Sequence, residues 1–291
     1  MQRAVLLFLG IFLFNEMHAQ LVEVRADYTS IGDVQFSAHN NTSAPLYLQV
    51  NFSDLENTTF DEPLPYIKLL EPGFNNLFML QRRLDAEVPR FNYDIKTYRS
   101  NPMAIVDLDY PYLIPFEEGI TTEIFDVQSI AGFWGNSEPK SWNVTGFAVN
   151  KGDKIFASRT GTVVEVAGQN RDGDPAKWYH TWTNSLTVLQ PDGTLIVYRN
   201  VEVKNKEIEV GERIVAGQYI GNATKQGELI LLIFQHSLSD GDPRFIIPQF
   251  VTSEEKKELL VPSREYSVVH PGEIVTREMT KKEQRNYRKR K

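Results

Sequence analysis

The sequence predicts an all-β protein built from two domains. Apolar and polar residues alternate in short runs, which is the period of a strand with one buried face. Glycine, proline, asparagine and aspartate cluster between these runs and mark turns. A helical period is almost absent from the second half of the chain, and 291 residues are enough for two domains of ordinary size.

The first 19 residues are predicted to be a signal peptide. Arg3 gives a basic start, Ala4–Phe14 is an unbroken apolar run, and Met17-His18-Ala19 ends in a small residue suited to cleavage. The apolar run is too short to span a bilayer, so a cleaved signal is favoured over a membrane anchor. The chain contains no cysteine, which is more typical of a bacterial envelope protein than of a eukaryotic ectodomain. A secreted or periplasmic location is therefore predicted.

The first folded domain is predicted to span residues 20–117. Its alternating runs read VEVRADY, VQFSAH, LYLQVNF, YIKLL, FNYDIKTY and AIVDLDY. Turn clusters such as Ile31-Gly32-Asp33 and Glu71-Pro72-Gly73 separate them. Short strands at such intervals are typical of an immunoglobulin-like β-sandwich. No pattern of catalytic residues occurs in this half, so we expect a spacing, docking or carbohydrate-contacting role.

The second domain is predicted to span residues 118–250. The segment Tyr110–Gly119 leads into it, and its two prolines restrict the backbone while its aromatic side chains pack the seam. From Asn184 to Phe234 the chain reads as short strands separated by tight turns. These turns fall at Asp192-Gly193, Gly211, Gly217, Gly221 and Gly227.

Residues 251–291 are predicted to form a C-terminal extension, with one or two helical turns at Glu254–Leu260. From about Thr276 onward the residues are charged and weakly apolar, which predicts a disordered basic tail. The last eleven residues carry a net charge of +6, so the formal charge of −7 for the whole chain leaves about −13 on the remainder. An acidic body argues against nucleic acid as a partner. Contact between the tail and an anionic envelope surface stays open as an alternative to a solvated end.

Three segments of the second domain carry a more specific pattern. Gly146–Val166 contains a strand, a turn and the strand GTVVEV. Asn184–Val201 contains the turn PDGT followed by YRNV, and Val210–Gly221 reads VGERIVAGQYIG. In this order they resemble the LytM/lysostaphin-type zinc endopeptidases, which cleave peptidoglycan cross-bridges. The resemblance covers Tyr110–Phe234 and implies a LytM-type antiparallel sheet, similar to a barrel-sandwich hybrid.

The resemblance also implies where zinc ligands would stand. The family binds zinc with a His and an Asp around the first strand and with the second His of an H-x-H on a late strand, and a further His in Y-x-H-L completes the catalytic pair that assists the activated water. Here Gly146 stands at the Asp position, Asn200 at the Y-x-H-L position, and Leu229 and Leu231 at the H-x-H positions. Glycine and leucine side chains do not bind zinc. We therefore predict no catalytic residues, no metal site and no cofactor.

Zinc binding would be possible only if residues at other positions supplied the ligands. After the signal segment, the histidines near the pattern are His180 and His236, which could combine with a carboxylate such as Asp174 or Asp240. No motif spacing supports that set, and loop-end histidines are the simpler interpretation. The alternative function is therefore a zinc metalloendopeptidase that acts on peptidoglycan cross-bridges with relocated ligands.

Aromatic residues around the expected groove are candidates for ligand binding. They offer large rigid surfaces to sugar rings or peptide stems, although packing of loops onto the sheet is an equal alternative. The candidate groove and binding residues are Trp134, Trp142, Trp178, Tyr179, Trp182, Tyr198 and Asn200.

The sequence thus predicts a secreted, non-catalytic relative of these peptidases. It would act as a binding or regulatory module in the bacterial cell envelope, with peptidoglycan or a cell-wall hydrolase as its partner. We predict no transmembrane helix and no nucleic-acid partner. An interaction scaffold that never contacts peptidoglycan is the second alternative.

Overall fold

The fold is described by a computed structural model that covers residues 21–83, 87–127, 141–168, 184–203, 208–225, 227–239 and 241–290. In these ranges the chain forms 22 strands and two short helices, so the all-β prediction is confirmed. No helix in these ranges has both the length and the apolar character needed to cross a membrane. The predicted signal peptide at residues 1–19 lies outside them.

The first domain consists of two antiparallel sheets that enclose a core. One sheet has the order β1-β2-β6-β4 and the other β5-β3-β7. The strands are β1 Val22–Tyr28, β2 Val34–Asn40, β3 Leu46–Glu56, β4 Thr58–Thr59, β5 Tyr66–Leu70, β6 Gly73–Arg82 and β7 Arg90–Tyr98. Phe36 lies in the centre of the core and stacks on Phe78, with ring centroids 4.7 Å apart. The domain is a sandwich, and its immunoglobulin-like character stays a prediction.

The second domain is organised by a nine-stranded sheet. Its order is β16-β12-β13-β14-β18-β10-β9-β22, with β19 pairing with β18. Two three-stranded sheets complete the domain, β11-β17-β15 and β21-β20-β8. The pairing of β8 with β20 is parallel.

The strands of the second domain are short. The earlier ones are β8 Pro111–Tyr112, β9 Thr121–Phe125, β10 Thr145–Phe147, β11 Lys154–Phe156, β12 Gly161–Ala167, β13 Ser185–Leu189, β14 Leu195–Arg199 and β15 Val201–Glu202. The later ones are β16 Arg213–Ile214, β17 Tyr219–Ala223, β18 Leu229–His236, β19 Pro243–Phe245, β20 Gln249–Ser253, β21 Lys256–Glu258 and β22 Arg264–Ser267.

The large sheet is covered on both faces. Its first face packs into the main core of the domain, together with Ile155 and Ile220 from the smaller β11-β17-β15 sheet. Its second face packs with residues of the first domain, namely Ala44, Tyr47 and Leu69. The two domains are therefore joined by a shared apolar layer, which removes apolar surface from water on both sides.

The segment that leads into the second domain belongs to its core. Tyr110, Tyr112, Ile114 and Phe116 are all buried there, each 3% exposed or less. The prolines favour an extended backbone, in which every second side chain points to the same side. The four residues are spaced two apart, so all four point into the core. The core of the second domain thus starts before the predicted boundary at residues 117 and 118.

The end of the chain corrects two predictions. Where helical turns were predicted at Glu254–Leu260, β21 forms a hairpin with β20. Where disorder was predicted from about Thr276 onward, the structure has the helix α2 Lys281–Arg290, which follows the short helix α1 Gly272–Thr276. This segment is ordered by its few apolar residues, because Ile274, Met279 and Tyr287 pack with buried Leu113 and Ala216.

A buried arginine fixes this terminal segment to the sheet domain. The Arg159 side chain is 3% exposed and forms ion pairs with Asp192 and Glu278, each at 2.7 Å. Its guanidinium lies 3.7 Å from the centroid of the Tyr110 ring and also donates to the Tyr112 hydroxyl. Burial raises the pKa of Tyr112 to about 12. One cation therefore ties together the β13–β14 turn, β8 and the segment between α1 and α2.

Replacing Arg159 with methionine should strongly destabilise the protein. The substitution keeps much of the apolar stem but leaves two largely buried carboxylates without their cation, which costs about 3–5 kcal/mol. Urea unfolding followed by tryptophan fluorescence measures this change. Arg277→Met is the matched control, because Arg277 is 47% exposed and its ion pair with Asp107 is long at 3.8 Å. A control effect below about 1 kcal/mol is expected, and equal effects would contradict the assigned role of Arg159.

Candidate functional site

Three of the four positions that would carry a zinc site, Gly146, Leu229 and Leu231, lie on the neighbouring strands β10 and β18, and Asn200 follows the end of β14. The order β14-β18-β10 places Tyr198 on one side of β18 and Gly146 on the other. Tyr198 is directly opposite Leu231, and Gly146 is directly opposite Ile230.

The register shows that the predicted positions do not share one face. Residues directly opposite each other in an antiparallel pair project to the same side, and neighbours along a strand project to opposite sides. Gly146 therefore shares a face with Ile230, whereas Leu229 and Leu231 face the other way. The assignment of Gly146, Leu229 and Leu231 to one groove is corrected: if Gly146 marks the Asp position, the late-strand positions on its face are Ile230 and Leu232. These residues are also apolar and offer no zinc ligand.

Leu229 and Leu231 lie on the first face, inside the main core. They are 0% and 2% exposed and belong to the same apolar cluster as Tyr198. Tyr198 is fully buried, and its hydroxyl accepts a hydrogen bond from the backbone N–H of Ser158 at 2.7 Å. Burial raises the pKa of this hydroxyl. Tyr198 therefore supports the core, and its prediction as a ligand-binding residue is corrected.

The second face has no room for a carboxylate at Gly146. A Cβ atom placed there would lie 2.7 Å from ring carbons of Phe125 and 2.7 Å from a methyl of Val127. These distances are far shorter than an ordinary van der Waals contact. Trp142, on the segment before β10, packs against Phe245 with ring centroids 5.1 Å apart. The face is filled with apolar groups, and zinc with three protein ligands does not fit it.

Asn200 has a backbone role. Its φ of 69° lies in the left-handed region, which asparagine tolerates better than most residues. Its backbone N–H donates to the carbonyl of Asn184, and its own carbonyl accepts from Thr224, both at 2.8 Å. The side-chain amide donates to the carbonyl of Glu228 at 3.3 Å. Asn200 is 3% exposed, so it joins β14 to β15 and does not line an open groove.

His236 is the alternative zinc ligand that the structure describes, and it is engaged at the domain seam. Its Nδ1 lies 2.6 Å from the Ser100 hydroxyl, which also accepts from the His236 backbone N–H at 2.7 Å. Burial, with a smaller effect of Arg99, lowers the pKa of His236 to about 4. His180, Asp174 and Asp240 lie outside the described residues. Among the described residues, no three His, Cys, Asp or Glu side chains are grouped as a metal site would need.

The predicted aromatic platform is only partly described. Trp134, Trp178, Tyr179 and Trp182 lie outside the described residues. Trp142 packs against Phe245 in the second apolar face, as the packing alternative expected.

Sequence reasoning missed the polar contacts that connect the domains. Arg99, directly after β7, forms an ion pair of 2.8 Å with Glu165 on β12, and the Glu165 side chain is only 7% exposed. Gly193, in the β13–β14 turn, has a φ of 87°, and a Cβ there would lie 2.4 Å from Cβ of Asn101. The turn glycine was visible in the sequence, but its close approach to the other domain was not.

Comparison with known proteins gives matches among solved structures alone. No protein-family model matches the chain, and no curated protein matches it. The matching structures include LytM/lysostaphin-type peptidases, the family that the sequence motifs resemble, and also the SpoIIQ–SpoIIIAH pore-forming complex.

Three of these structures illustrate the similarity. Lysostaphin is 19% identical over 48% of this chain and 50% of its own, with a TM-score of 0.28. Pseudoalterin, a deep-sea metalloprotease, is 11% identical over 56% of this chain and 97% of its own, with a TM-score of 0.33. Csd3 from Helicobacter pylori is 11% identical over 88% of this chain and 56% of its own, with a TM-score of 0.33. The chain thus spans about half the length of lysostaphin and of Csd3.

The register that separates the two faces can be tested by cross-linking, since the natural chain has no cysteine. In Thr145→Cys/Leu231→Cys the two thiols stand on directly opposite residues and should form a disulfide under mild oxidation. In the matched pair Thr145→Cys/Ile230→Cys the second thiol points to the other face and should stay free. Thiol titration and intact mass measure both. Cross-linking of the second pair alone would contradict the register.

Proposed function

We propose that this protein is a non-catalytic member of the cell envelope that uses a peptidase-like sheet as a binding or regulatory module. The observation that carries this proposal is the chemistry of the late strand β18. Six consecutive residues, Leu229–Phe234, are apolar, and each is 5% exposed or less. They occupy the place where the family resemblance puts a metal ligand and a catalytic histidine.

A hydrolytic zinc site needs three protein ligands and an open position for the water that it activates. Apolar side chains on both faces of β18 provide neither the ligands nor the space. Burying each such side chain favours folding by about 1.5–3 kcal/mol, whereas unmetallated polar ligands at the same positions would cost free energy. The apolar residues of β18 therefore stabilise the fold at the positions where a peptidase would have polar ligands.

The first domain offers an open surface for a partner. On the outer face of its larger sheet, Glu23, His39 and Phe74 lie side by side across three strands. Phe74 is 67% exposed, and with Arg25 these residues line a shallow cleft of about 300 Å³. An exposed aromatic ring beside charged and hydrogen-bonding groups suits a sugar ring or a short peptide. We propose peptidoglycan as the partner and this cleft as the contact.

Binding to purified peptidoglycan sacculi tests the proposal. Full-length protein should sediment with sacculi and release no soluble fragments, with or without added zinc. Phe74→Ala should reduce the retained fraction, because it removes the one large apolar contact of the cleft. Ile105→Ala is the matched control, since Ile105 is 93% exposed and lies outside the cleft.

Two outcomes would contradict this account. Release of fragments that a chelator abolishes would support a peptidase with relocated ligands. Absence of retention would remove peptidoglycan as the partner and favour the interaction-scaffold alternative.

A further inference from the structure

The last helix presents an exposed basic face. Five cationic side chains of α2 are exposed: Lys281, Lys282, Arg285, Arg288 and Lys289. At 100° per residue they fall within an arc of roughly 120° on one side of the helix. A helix of ten residues is about 15 Å long, so the five charges form a dense stripe.

The opposite side of α2 is fixed to the protein. Tyr287 packs with the cluster formed by Leu113, Ala216 and Val275. Gln284 donates to the backbone carbonyls of Thr276 and Met279, at 3.2 and 3.3 Å.

The start of α2 is also held. Thr280 and Glu283 exchange hydrogen bonds in a capping box, at 2.6 and 3.3 Å. Glu283 additionally forms an ion pair with Arg213 at 3.1 Å. The direction in which the basic face points is therefore set by the body of the protein.

The carboxylates of the described residues do not neutralise the charges on this face. No ion pair joins any of the five cations to a carboxylate among the described residues. The acidic side chains of this segment, Glu278 and Glu283, turn inward to Arg159 and Arg213. The basic stripe is thus separated from the acidic groups nearest to it in sequence.

We propose that the basic face of α2 docks this protein on a membrane surface rich in anionic phospholipid. The last eleven residues carry +6 and the remainder of the chain −13, so the molecule is strongly bipolar in charge. A flat anionic surface meets the basic end alone, whereas a long flexible polyanion such as nucleic acid would also be repelled by the acidic body. The exposed side of α2 carries no large apolar residue. Docking is therefore electrostatic, without insertion, and weakens with salt.

This inference does not depend on the proposed function, because it concerns a different surface. A protein bound through α2 would keep the Phe74 cleft of the first domain for a separate partner. A negative result with vesicles would therefore not contradict the peptidoglycan proposal, and a negative result with sacculi would not contradict membrane docking.

Sedimentation with lipid vesicles tests the docking. Full-length protein should bind vesicles that contain phosphatidylglycerol and should not bind vesicles of phosphatidylcholine alone. The triple variant Lys282→Gln/Arg285→Gln/Lys289→Gln should bind about 100-fold more weakly, since each cation near an anionic membrane contributes roughly fivefold. Glutamine keeps the helix propensity of the replaced residues, and circular dichroism checks the fold.

The control variant Lys68→Gln/Arg83→Gln/Lys96→Gln makes the same change in net charge at exposed positions of the first domain. It should bind like the natural protein. Equal loss in both variants would overturn the proposal, because binding would then follow net charge alone. Binding to phosphatidylcholine, or tighter binding to duplex DNA than to anionic vesicles at the same salt, would overturn it as well.

Discussion

The structure depends on one strand that is buried on both faces. β18 lies between β14 and β10 in the large sheet, so its backbone hydrogen bonds are satisfied on both edges. Its side chains supply the main core on one face and the layer shared with the first domain on the other. The strand holds the second domain together and also joins the two domains. An open groove beside β18 would expose apolar side chains on both faces of the sheet and would destabilise the protein.

This burial links the fold to the functional proposal. An active site on a sheet needs side chains that are polar, converging and accessible to substrate, and such groups cost stability. Here the same sheet region contains Ile230, Leu231 and Leu232, each 5% exposed or less. Polar groups near the seam are used for structure, as in the Ser100–His236 pair and the Arg99–Glu165 ion pair. The surfaces proposed for partners lie elsewhere, on the first domain and on α2.

Much of the fold was predictable from local pattern. The predicted strands that match β1, β2, β3 and β7 alternate between apolar and polar residues, and the one that matches β5 is a short apolar run, YIKLL. The predicted strand over residues 104–110 is absent, because Asp107 forms turn hydrogen bonds to Asp109 and Tyr110. β6 was missed, since Asn75 and Asn76 interrupt its apolar pattern.

The direction in which each side chain of β18 points was not predictable from the sequence. Leu229–Phe234 is apolar throughout, so its period gives no information on which residue faces which side. The pairing of β18 with its neighbours separates the faces, since Gly146 is opposite Ile230 and Tyr198 is opposite Leu231. Helix α2 was not predicted because its stability comes from Tyr287 packing on residues distant in the chain. Contacts of that kind are set by tertiary structure and leave little trace in local sequence.

Zinc content tests the central claim most directly. The protein would be incubated with excess zinc, passed through gel filtration, and analysed for metal per chain, with lysostaphin treated in parallel as a positive control. A peptidase site retains one zinc per chain because three ligands hold it tightly. The apolar faces of β18 predict a content far below one for this protein. One tightly bound zinc per chain would contradict the account.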